Sequence, residues 1–177
     1  MKRLTFIFLT VALMSGMAGS LMAQSDTHQI NVTVDGIALL RVNDGNAITL
    51  QITAPATEGD STAVKSNATN YLQYTSIRAS GVTKKVTAAT DVAVPAGLSL
   101  LVTAAAPTTG AGTRGTSGGR KALSTSASDV ITGIGSCYTG IGATDGGLLT
   151  YQLFVNNWTN VLSGGPTAVT VTYTLTN

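Results

Sequence analysis

The sequence contains a single cysteine, Cys137, a single histidine, His28, and a single glutamate, Glu58. One cysteine excludes an intrachain disulfide, so the fold is held by burial and sheet hydrogen bonds, or is completed by a second chain. A thiol nucleophile needs a base, normally histidine, to make thiolate. The lone candidate, His28, lies near the other end of the chain, so Cys137 reads as a free thiol. Its expected state is a small buried apolar side chain, with intermolecular pairing as the alternative. One His and one Cys do not make a zinc site. The acids lie near turns and strand ends, and Glu58 sits in a polar link, so no carboxylate pair for glycoside hydrolysis stands out. Asp35, Asp44, Asp60 and Asp145 read as turn residues rather than calcium ligands. The reading is non-enzymatic, with no catalytic residue, metal or cofactor.

Charge is scarce too. Only 10% of residues are Asp, Glu, Lys or Arg, against about a quarter in an ordinary globular protein. The net charge of +2 resides in Lys2 and Arg3; beyond them eight basic side chains balance eight acidic ones. A neutral, hydroxyl-rich surface argues against nucleic acid or anionic lipid as a partner.

What is present begins with a leader. Lys2 and Arg3 precede a mostly apolar stretch over 4–22, and Leu21-Met22-Ala23 offers a cleavage point before Gln24. That order predicts a signal peptide, 1–23, removed on export to leave one domain, 24–177, with no stable membrane span. The expected location is secreted, from periplasm to cell surface.

Beyond residue 24, period-2 alternation replaces helical periodicity. Ile30, Val32 and Val34 alternate with polar residues; Ile48, Leu50 and Ile52 do the same after the turn signal Asn43-Asp-Gly-Asn46. Further strands are expected over 71–77, 82–88 (a solvent-facing edge), 98–103, 129–134 and 148–155. The clearest is the last, with Val169, Val171, Tyr173 and Leu175 on a core face and threonines opposite. The stretch 107–120 has five glycines, little to bury, and reads as a mobile loop. These signals predict an all-β, immunoglobulin-like antiparallel β-sandwich of about seven to nine short strands.

Two features stand outside that frame. The phrase Thr-Gly-Ile-Gly occurs at 132–135 and 139–142, flanking Cys137. Neither copy fits GxGxxG or is followed by Lys-Ser/Thr and a helix, so the glycines read as a strand bend or close backbone approach. Trp158 lies among Asn156, Asn157 and Asn160, either as a packing plug or as a platform for stacking a sugar.

The early Ile30-Asn-Val-Thr-Val34 strand and the closing 168–177 run, AVTVTYTLTN, resemble bacterial fimbrial-type subunits of the spore-coat-U-like and chaperone–usher pilin families. The phrase VITGIGSCYTG also resembles small exported β-sandwich proteins of Bacteroidota. The resemblance implies a structural or adhesive surface subunit that self-associates or joins related subunits by β-strand complementation. Ile30, Val32 and Val34 would be the exchanged face. The alternative from the residues is a secreted carbohydrate-binding module using Trp158, with a glycan as partner.

Overall fold

A computed structural model describes residues 26–177, so the predicted leader lies outside the described residues. Backbone contacts separate a unit Met1–Thr33 from a unit Val34–Asn177. The described part of the first unit, 26–33, contains no strand.

The second unit is all-β and antiparallel, as the alternation predicts, with nine strands among the described residues. In chain order they are β1 (Ile37–Val42), β2 (Lys65–Ile77), β3 (Lys84–Thr90), β4 (Leu98–Ala104), β5 (Ala111–Ser117), β6 (Arg120–Ala122), β7 (Ser128–Tyr138), β8 (Gly147–Val155) and β9 (Val171–Thr176). One continuous ladder runs β6-β4-β8-β2-β7-β3-β9, with β1 also paired to β2 and β5 to β7. Its two halves meet only where Thr75 and Ser76 of β2 face Tyr138 and Cys137 of β7. Both halves nonetheless contribute to one buried cluster. Leu72, Val102 and Leu149 come from the first half, and Val86, Val130 and Ile131 from the second. Each such side chain contributes roughly 1.5–3 kcal/mol of hydrophobic stabilisation.

Several expectations need correction. The run 107–120 is not a loop, since it contains all of β5 and the first residue of β6. Its glycines are what let it pair. Gly110 and Gly112 have φ of 82° and 83°, and a Cβ on either would strike the Tyr138 or Ser136 carbonyl of β7. Arg114 then closes the preceding turn by donating from Nη1 to the carbonyls of Thr108, Thr109 and Gly110 at 3.0, 2.7 and 3.1 Å. The strand β3 is no edge, because it lies between β7 and β9. The expected hairpin across Asn43–Asn46 does not form. Asn43 accepts from the Tyr71 amide at 2.6 Å, and Asn70 donates to the Asp44 carbonyl at 2.6 Å. The turn is therefore tied to β2, which pairs with β1 in place of 48–52.

The last strand begins three residues later than expected and ends at Thr176. Val171, Tyr173 and Leu175 lie in β9, half-buried against the core. Val169 precedes the strand. In the ladder β9 pairs only with β3, so it is terminal rather than central.

Candidate functional site

Along β4 and β8 the inward face changes character. At one end Val102, Ala104, Leu149 and Tyr151 are buried; at the other Leu98, Leu100, Leu153 and Val155 are only half-covered. The register makes these cross-strand partners: Leu98 with Val155, Leu100 with Leu153, Val102 with Tyr151 and Ala104 with Leu149. The β3–β9 register ends at the Thr90–Val171 pair, and Val171 and Tyr173 line one groove with Leu98, Leu100, Leu153 and Val155.

The groove has a volume of about 1360 Å³. Leu98, Leu100, Leu153 and Val155 contribute its apolar floor, segment 46–54 one flank and 161–171 another. Neither flank is in a strand up to Thr170. Polar side chains are interspersed, among them Asn46, Thr49, Gln51, Thr53 and Asn70. At one side the hydroxyls of Tyr151 and Tyr173 lie 2.7 Å apart. Burial pushes both phenols above the ordinary tyrosine value, and for Tyr173 the neighbouring Tyr151 adds to the effect.

Trp158 also lines this groove and is 57% exposed, so it is not a buried plug. Its turn is pinned from below, with the Asn156 and Asn157 amides donating to the Gly97 carbonyl at 2.9 and 3.2 Å. Asn156 Nδ2 is committed to Ser99 Oγ at 2.7 Å, which leaves the indole as the open part of the loop.

Ile30, Val32 and Val34 belong to no strand and are 71%, 82% and 69% exposed.

No family model, curated protein or solved structure matches the chain.

The Thr-Gly-Ile-Gly repeats are structural. The first copy lies inside β7; the second forms the turn into β8, where Asp145 Oδ2 accepts from the Gly142 amide at 2.7 Å. Buried Gln73 fastens that turn by donating to the Gly142 and Asp145 carbonyls at 2.7 and 3.0 Å. Gly140, with φ of 97°, has no room for a Cβ beside the Asp145 carboxylate. Cys137 is buried in β7, and burial raises its thiol pKa above the ordinary value. That is the reverse of an activated nucleophile. Among the described residues no three His, Cys, Asp or Glu side chains converge as metal ligands, and no helix is long and apolar enough to cross a membrane.

Proposed function

We propose that the chain is an exported structural or adhesive subunit, built as an immunoglobulin-like β-sandwich, that assembles by β-strand complementation. The observation that carries this reading is the half-covered apolar floor at Leu98, Leu100, Leu153 and Val155. A second copy supplies what would cover it: the alternating, uncharged run around Ile30, Val32 and Val34, which is outside every strand. Strand addition suits both parts, because main-chain hydrogen bonds give affinity and alternate side chains fill apolar sites. The leader read from the sequence supplies the export, and the near-absence of charge suits packing of like subunits.

Light scattering on the purified chain tests it. Masses above one chain are expected, falling to one chain for Val32→Asp, a change at an exposed position that leaves the core intact. A wild-type chain that stays monomeric at high concentration overturns the reading.

A second reading, a secreted carbohydrate-binding module, is favoured by one observation: the open indole of Trp158 on the same groove. Stacking a sugar needs such an open, amphipathic ring. Glycan-array binding lost in Trp158→Ala supports it, and binding unchanged in that variant removes it.

A further inference from the structure

The flank 46–54 carries a pattern that its own chain does not use. From Ala47 to Thr53 exposure alternates strictly: Ile48, Leu50 and Ile52 are half-buried, while Ala47, Thr49, Gln51 and Thr53 are exposed. Ile48 and Leu50 pack against the core cluster. This is the side-chain geometry of a strand with one face down. Yet among the described residues no backbone hydrogen bond involves 47–54. A strand-like segment seated on apolar contacts, with its ladder positions vacant, is an open pairing edge.

We infer that residues 47–53 are the receiving edge of the groove, a latent strand that becomes a paired one when residues 28–34 of a second copy enter. The inference rests on the strand-complementation reading and adds which edge takes the incoming backbone. Three features of the two segments support the match. Both alternate with period 2. The runs 29–34, QINVTV, and 47–53, AITLQIT, contain no charged side chain, so pairing meets no like-charge repulsion. Both are rich in β-branched residues, which fit a pleated, half-buried surface. The flank 161–170 matches less well. Gly164-Gly165-Pro166 interrupts it, and proline withholds an amide donor from a ladder.

The ordering is local. Leu50 and its neighbours already sit on the core, so pairing fixes the backbone without moving the floor. Strand addition and strand formation therefore occur together, with the 47–53 amides passing from water to the incoming carbonyls.

The test uses the Val32→Asp chain as an acceptor that does not donate, with a synthetic peptide of residues 24–35 as the probe. Hydrogen exchange is followed with and without peptide. The expected result is slower exchange within 48–53 on binding, by roughly tenfold or more if the edge is paired. Proline scanned through Thr49, Leu50 and Gln51 weakens the peptide about tenfold where the lost N–H faces it. Alanine at Thr49 and Gln51 keeps the N–H and should weaken the peptide less than proline at the same position. A peptide that binds while protection falls on another edge, with all three prolines silent, overturns the inference and leaves strand complementation standing. A peptide that does not bind, together with a wild-type chain that stays monomeric, overturns both.

Discussion

Tyr151 of β8 and Tyr173 of β9 hold their hydroxyls 2.7 Å apart, one link between the two halves of the ladder beside the β2–β7 pairing at Thr75–Ser76 and Cys137–Tyr138 and the backbone bonds from Thr139 to Tyr74 and from Thr90 to Ser124. The pair sits where the closed core gives way to the groove. Each hydroxyl satisfies the other in a place largely shut off from water. Removing one leaves its partner short of a bond, which costs about 1–3 kcal/mol, whereas removing both replaces the pair by two matched apolar rings. Tyr173→Phe and Tyr151→Phe are each expected to lower stability by about that amount. The double variant should lose less than the sum of the two singles. Urea denaturation of the four proteins measures this, and strict additivity would deny the coupling.

Burial raises the pKa of Tyr74, Tyr151 and Tyr173 above the ordinary 10.0, and that of Cys137 above 9.0. In every case the unfolded chain releases its proton first. Their contribution to stability is therefore full below about pH 9 and declines as the pH rises through and beyond 10. Each tyrosine withdraws up to about 1.4 kcal/mol per pH unit while only the unfolded form is ionised. Phenolate absorbance of these three tyrosines should appear together with loss of the fold. Free titration of all three in a still-folded protein would contradict their burial. At acid pH the direction reverses for Asp91. The Thr170 amide donates to Asp91 Oδ1 at 2.8 Å and holds its carboxyl below the ordinary value. That contribution is present above about pH 4 and fades as the carboxyl protonates.

The strands β4, β8 and β9 were legible in the sequence because their apolar residues alternate and have a core to enter. The strands β5 and β6 were not, because Gly-Ala-Gly-Thr-Arg-Gly offers almost no hydrophobic signal. The pairing of β5 is dictated by close approach to the β7 backbone, which no local pattern encodes. At 48–52 the alternation was legible but its partner was not. Whether an alternating run pairs depends on where Asn43 and Asp44 are tied, and they are tied to β2, 26 and 28 positions on in the chain. The groove was invisible for a related reason. It is lined by segments far apart in sequence, 46–54, β4, β8 and 161–171. Of the residues singled out in advance, Trp158 and Val169 line it, together with Val171 and Tyr173.

The approach of β5 to β7 gives a sharp test of backbone geometry. Gly112 has φ of 83°, and a Cβ there meets the Ser136 carbonyl and the Cys137 Cα. Gly112→Ala therefore combines an unfavourable conformation with a clash against main chain. A loss of about 2–4 kcal/mol is expected, through strain of about 1–3 kcal/mol and overpacking of similar size. Gly119, with φ of 77° and open space around it, separates the two effects. Gly119→Ala should cost only the conformational part, about 1–2 kcal/mol. Equal losses at the two positions would show that the β5–β7 approach is looser than described.

Cys137 supplies the remaining test, and it bears on assembly as well as on the core. The thiol lies at the junction of the halves, opposite Ser76 on one side and Gly112 on the other, and is 8% exposed. A buried, largely protonated thiol reacts only when the strands around it open. Modification by a thiol reagent should be slow in the native protein and at least about a hundredfold faster in denaturant. Because β7 is interior to its half of the ladder, Gly112→Ala should speed the native reaction by loosening β5, while Val32→Asp should leave it unchanged. Fast labelling of the native wild-type chain would place the sulfur at the surface. A covalent dimer through Cys137, seen on gels without reductant, would then compete with strand addition as the link between copies.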